Sequence, residues 1–205
     1  MNIEIKQIIE KAEAGDMKSQ SFLASMYYQG TGRAKAKKIG ISRDYQKAFY
    51  WTSKAAAQGH IFSQYNLGYM YWSGEGTSED YEEAFYWFSK AAEQRFAPAQ
   101  NYLGMMYRDG RGVDEDFEEA FIWFSIAAEQ GEPEAQCNLG LMYIDGNGVP
   151  ESLIDATYWI HLSRMQSSEY AKELWNEYEL WQFEDDIVNR IARKIFQIQK
   201  NPKSN

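Results

Sequence analysis

Apolar positions follow a helical period along most of the chain, and the helical pattern itself recurs. In residues 61–73, Ser63, Leu67, Met70 and Tyr71 fall at i, i+4, i+7 and i+8, one face of a helix. Gly74-Glu75-Gly76 stops that helix, because glycine supplies the left-handed backbone that follows a helix end. Asp80 then opens a second helix as its N-cap, with Glu83 at the offset of a capping box. Ala84, Trp87, Phe88 and Ala91 form the expected buried stripe of this second helix.

The two-helix unit repeats every 36 residues. That interval links Trp51, Trp87, Trp123 and Trp159; Gly68, Gly104 and Gly140; Tyr71, Tyr107 and Tyr143; and Gln64, Gln100 and Gln136. Asp116/Glu119 and Ser152/Asp155 keep the spacing of Asp80/Glu83, whereas Asp44 is followed by Lys47. An earlier copy carries Leu23, Ala24, Tyr27, Gly30 and Gly32 at a spacing of 44, and this places an insertion at 33–40. Small residues at Gly68, Ala84 and Ala91 let helix backbones approach, and the ring of Trp87 is expected to fill the gap between pairs. One pair cannot bury both of its faces, so the copies must stack into a solenoid.

The stack needs closing at both ends. Ile3, Ile5, Ile8, Ile9 and Ala12 predict an N-terminal helix. Residues 170–183, then Ile187, Val188, Ile191, Ile195 and Ile198, predict one or two closing helices, with a frayed tail from Asn201. The expected layout is a capping helix over 1–15 and four repeats over 16–165: 16–57 with the inserted loop, 58–93, 94–129 and 130–165. A degenerate helix, a C-terminal cap and a tail occupy 166–205. This makes about eleven helices, all α.

The recurring pattern is Ala-Gln-x-x-Leu-Gly-x-x-Tyr-x-x-Gly-x-Gly, then Asp-aromatic-x-x-Ala-x-x-Trp and Ala-Ala-x-Gln-Gly. It resembles the Sel-one-like repeat family, a subclass of tetratricopeptide-type α-solenoids. Ala99-Gln100, Leu103-Gly104 and Tyr107 carry the match, with Asp116-Phe117, Ala120, Trp123 and 127–131. The resemblance covers about residues 12–165 and departs at Ala24, at Arg95 where glycine is usual, and at the insertion. It implies a right-handed superhelical solenoid of antiparallel pairs. It also implies an adaptor, scaffold or regulator that binds other proteins; some members are reported beside toxins as their neutralising partners.

Charge narrows the choice of partner. The net charge is −9; residues 75–155 carry 18 acids against 4 bases, and residues 33–54 carry 7 bases against 1 acid. An acidic body argues against nucleic acid and anionic membranes and suits a partner with a basic surface. No apolar run is long enough to cross a bilayer, and the first six residues show neither a basic leader nor a long apolar core. With Cys137 as the single cysteine, a cytoplasmic monomer is expected.

Catalytic chemistry finds little support in the sequence. The glycine pairs lack the strand before and the Lys-Ser/Thr after that a phosphate loop needs. His60 and His161 are 101 residues apart with no metal-binding pattern around them, and Cys137 has no thiol or histidine beside it in the sequence. The acids sit at helix starts and polar faces, and no Ser-x-x-Lys tetrapeptide occurs. No catalytic residue, metal site or cofactor is expected.

A binding surface is the stronger candidate. Tyr65, Tyr69 and Trp72 lie opposite the inward face of their helix, and Asn101, Met105 and Arg108 correspond to them in the next copy. Cys137, Leu141 and Ile144 follow, with Ser21, Ser25 and Tyr28 in the first copy. These positions vary while their neighbours repeat, and aromatics, Met and Arg are enriched at interface centres. Tyr28, Tyr65, Tyr69, Trp72, Asn101, Met105, Arg108, Leu141 and Ile144 are thus the candidate partner-binding residues. They either line a concave groove or pack on the next repeat's first helix, and periodicity does not separate the two. The functional expectation is a non-catalytic protein-binding module. The alternatives are an immunity-type inhibitor of a toxin encoded nearby, or an enzyme acting on a small molecule or peptide in the groove.

Overall fold

The computed structural model describes residues 3–30 and 41–187. They hold ten α-helices: α1 Ile3–Glu13, α2 Met17–Gln29, α3 Tyr45–Ala57, α4 Ile61–Ser73, α5 Tyr81–Glu93, α6 Ala97–Asp109, α7 Phe117–Glu129, α8 Pro133–Asp145, α9 Leu153–Met165 and α10 Glu169–Glu177. A 3-10 turn at Leu180–Phe183 and a helical turn over 184–187 follow, and the described residues contain no strand. The basic insertion at 33–40, the positions Val188, Ile191, Ile195 and Ile198, and the tail from Asn201 lie outside the described residues. The chain divides into two compact units, Met1–Glu115 and Asp116–Asn205.

In the first unit, α1 to α6 pack each on the next. The hairpins are closed by the backbone amide of Asp44, which donates to the Tyr27 carbonyl at 2.9 Å, and by that of Asp80, which donates to Tyr71 at 3.0 Å. The N-cap carboxylates of Asp44 and Asp80 accept from the amides of Lys47 and Glu83, as the sequence predicts. The reciprocal half of the capping box does not form. The Asp80 amide is already used on α4, and Glu83 Oε2 turns outward to accept from Trp87 Nε1 at 3.1 Å.

The repeating glutamine has a structural cause. Buried Gln64 donates Nε2 to the Ala56 carbonyl, and its oxygen accepts from Gln94 Nε2 at 2.6 Å. Gln20 and Gln100 cap the carbonyls of Ala12 and Ala92 in the same way. Each second helix thereby has its last turn satisfied by the helix that follows.

Phe88, rather than Trp87, is the buried ring of α5. Phe88 is 0% exposed, stacks on Tyr102 at 4.6 Å, and lies so close to Gly68 that a Cβ there would stand 2.8 Å from the ring. Trp87 is half-buried and lies edge-on to Tyr86. The expectation that Trp87 fills the space between pairs is therefore corrected. An amphipathic indole can sit at the boundary with its N–H reaching a carboxylate, while the all-carbon ring goes inside. In the turns, Gly76 (φ 80) has no room for a Cβ, which would collide with the Tyr45 carbonyl.

In the second unit, α7 to α10 follow the same plan. Asp116 caps α7 through the amides of Glu118 and Glu119, and the Ser152 amide donates to the Tyr143 carbonyl to set α9 against α8. Gln136 caps the Ala128 carbonyl and accepts from Gln166. Phe124 and Ile160 are fully buried at the register of Phe88. A closing cluster gathers Cys137, Ile160, Trp175, Leu180 and Ile187.

Candidate functional site

The first helices α2 and α4 of the first unit are separated by an open cavity of about 320 Å³. Its walls are Ser21, Ser25 and Tyr28 from α2, and Tyr65, Asn66 and Tyr69 from α4; Thr52 and Ser63 form its floor. Three of the sequence-predicted residues, Tyr28, Tyr65 and Tyr69, thus come together. Ser25 and Asn66 are exposed at the mouth, whereas Thr52 and Ser63 are buried.

The cavity has a cause that can be read at the 36-residue register. Phe88, Phe124 and Ile160 are fully buried in their copies, and the first copy has Thr52 at the same place. Opposite them stand Gly68 and Gly140, and the first copy has Ala24. Exchanging a Gly–Phe pair for Ala–Thr removes more volume than it adds, and the missing ring leaves the space open. Thr52 and Asn66 were not singled out by the sequence reasoning, and Ser63 was read only as part of the inward face of its helix. The substitution of a small polar residue at an otherwise bulky core position is the signal that identifies this place.

The C-terminal end of the cavity is electronegative. The Tyr28 hydroxyl donates to Glu75 Oε2 at 2.6 Å, and burial followed by the Glu75 carboxylate raises the phenol's pKa above its ordinary value. Tyr28 is also edge-on to Tyr45 at 5.4 Å. Arg43, the described cation at this end, lies over the Tyr45 ring at 5.6 Å and donates to its hydroxyl.

The other predicted residues lie elsewhere. Trp72 is half-buried against Tyr81 and Tyr102, with the Arg111 guanidinium 5.1 Å from its ring centre. Tyr65 and Tyr69 also touch Tyr102, so their rings belong partly to the packing of α4 on α6. Asn101 is buried and donates to the Met105 sulfur, and Arg108 pairs with Asp109 at 2.7 Å. In the second unit, Leu141 and Ile144 pack against the closing cluster.

Of the residues weighed for catalysis, His60 is the N-cap of α4. Its Nδ1 accepts from the Ser63 amide, and burial lowers its pKa, which favours the neutral ring that this role requires. Burial and then the nearby Arg164 lower that of His161, whose ring tilts against Trp175. Cys137 is buried, donates to the Ser163 hydroxyl at 3.2 Å, and has its thiol pKa raised by burial. Before α8, Glu132 keeps its proton up to about pH 8, because burial and then the neighbouring Glu134 disfavour its charge. Among the described residues, no group of three or more His, Cys, Asp or Glu is placed to hold a metal, and no helix is long and apolar enough to cross a membrane.

Stacked helix pairs joined by buried glutamines, with tight Gly-x-Gly turns, define an all-α repeat protein of tetratricopeptide-like type. The Sel1 repeat profile matches residues 18–60, 61–96, 97–132 and 133–168, and the chain belongs to the Sel1 repeat family. A protective antigen of uropathogenic Escherichia coli displaying an SLR fold is 35% identical over 83% of this chain, with a TM-score of 0.74. A Sel1 repeat protein from Oxalobacter formigenes is 32% identical over 82% of this chain, also with a TM-score of 0.74. The chain covers 35% of the first protein's length and 64% of the second's. Cysteine rich protein B of Helicobacter pylori shares the fold at 23% identity and a TM-score of 0.51, over 71% of this chain and 99% of its own length. No curated protein matches the chain.

Proposed function

We propose that the chain is a non-catalytic protein-binding module, and that the cavity between α2 and α4 receives part of a partner protein. The observation that carries this reading is the Ala24–Thr52 pair. It opens about 320 Å³ at a place where the sister copies are filled, and it surrounds that space with tyrosine rings, hydroxyls and an amide. Aromatic walls with a few polar groups are the usual makings of an anchoring pocket. Membership of a repeat family built on exposed helical surfaces favours the same reading.

The test restores the sister pattern. Ala24→Gly with Thr52→Phe refills the space and is expected to hold or raise the thermal midpoint. Capture of the partner from cells of the native organism, measured by quantifying co-eluting proteins, should fall at least roughly tenfold. Tyr86→Ala on the exposed face of α5 serves as the control and should leave capture unchanged. Undiminished capture by a well-folded, refilled variant sinks the proposal.

A further inference from the structure

Resting on the reading above, we propose that the cavity accepts a cationic side chain, a lysine or arginine of the partner, with the charge directed toward Glu75. Three features converge on this chemistry. The walls include three tyrosines, Tyr28, Tyr65 and Tyr69, and an aromatic ring attracts a cation through its quadrupole. None of the residues lining the cavity is charged, and they include the hydroxyl of Ser21 and that of Ser25, which accepts from Gln29 Nε2 and has a second lone pair. At one end stands a carboxylate, Glu75, fixed by the Tyr28 hydroxyl at 2.6 Å.

The helices add to the field. Tyr28 is the penultimate residue of α2, and Glu75 lies two residues past the end of α4. The negative poles of two helix dipoles therefore meet at this end of the cavity, where cations are favoured. Among the described residues, Arg43 is engaged with the Tyr45 ring and hydroxyl, and the contact given for the Glu75 carboxylate is that with Tyr28. The long, thin stem of a lysine or arginine suits a space walled by aromatic rings, with its head at the polar end. Charge near the cavity is mixed, since residues 33–54 carry 7 bases against 1 acid, so the attraction for a cation rests on Glu75 and the two helix ends rather than on the net charge of the chain.

The experiment follows the tyrosine ring resonances of the full chain by NMR. The probes are Nα-acetyl-lysine methylamide and Nα-acetyl-arginine methylamide, with the norleucine and glutamine equivalents as neutral isosteres. Saturable shifts of Tyr28, Tyr65 and Tyr69 are expected with the charged probes only. Glu75→Gln keeps an acceptor for Tyr28 and should weaken them roughly tenfold, as loss of a charge-assisted contact does. Equal shifts with the neutral isosteres, or no saturable shift at all, overturn the inference. A variant with Arg33→Ser, Lys35→Ser, Lys37→Ser and Lys38→Ser tests the chain's own basic insertion as the occupant. Unchanged probe affinity supports a partner, whereas tighter probe binding overturns it.

Capture of the natural partner separates this inference from the reading on which it rests. If refilling the cavity abolishes capture but Glu75→Gln and added salt do not affect it, the cation assignment fails and the docking site stands. If capture survives refilling, both fail.

Discussion

At the residue scale, the decisive contrast is between two neighbouring rings. Phe88 is wholly buried against Gly68 and Tyr102, while Trp87 keeps its indole N–H at the surface with Glu83. Phe88→Ala should therefore cost about 3–5 kcal/mol in denaturant unfolding, and Trp87→Ala distinctly less. Equal losses would contradict this placement. Arg95 offers a second case. It adopts φ 64 in the turn between α5 and α6, where Gly59 and Gly131 occupy the matching turns with φ 87 and 89. A left-handed residue with a Cβ is strained by about 1–2 kcal/mol. Arg95→Gly should raise stability by up to about 1 kcal/mol once the added freedom of the unfolded chain is subtracted, and a lowered thermal midpoint would refute this.

At the element scale, helix ends are where titration couples to folding. The residue before α8, Glu132, holds its proton in the folded state up to about pH 8, against an ordinary value of 4.5. Its protonated carboxyl is hydrogen-bonded to Glu134, whose own pKa is lowered by that contact. Since the folded chain binds this proton more tightly than the unfolded chain, the contribution is complete below the ordinary carboxyl range. It is lost as the pH rises through about 8. Thermal melts from about pH 5 to about pH 9 should show a falling midpoint, and Glu132→Gln should flatten that slope. An unaltered slope in the variant would show that this carboxyl does not set it. The glutamines illustrate the same scale differently: Gln64 and its equivalents recur because the last turn of the preceding helix needs a donor.

At the scale of the whole molecule, the first unit carries the candidate site, and the second carries a closing cluster that takes in Leu141 and Ile144. These two positions share a sequence register with Tyr69 and Trp72, yet they face a different neighbourhood. The acidic excess of the chain lies in residues 75–155, whereas residues 33–54 near the cavity are basic, so the attraction for a cation there depends on Glu75 itself. Added salt should therefore weaken partner capture along with Glu75→Gln, because exposed charges are screened beyond a Debye length of about 10 Å.

The sequence by itself determined the repeat, its 36-residue period, the helix pairs, the N-caps of the second helices and the glycine turns. These depend on residues close together in the chain, and repetition multiplies each local signal. Which ring of the Trp-Phe pair is buried, where the Glu83 carboxylate turns, and which of the variable positions meet around one cavity were decided only by tertiary packing. Trp87 and Phe88 are adjacent on one helix, and only the approach of Gly68 and Tyr102 from other helices distinguishes them. The cavity lies between the two extremes. Thr52 stands at a register where Phe88, Phe124 and Ile160 repeat, so its oddity is written in the chain, but the space left by the missing ring exists only once α2, α3 and α4 are brought together.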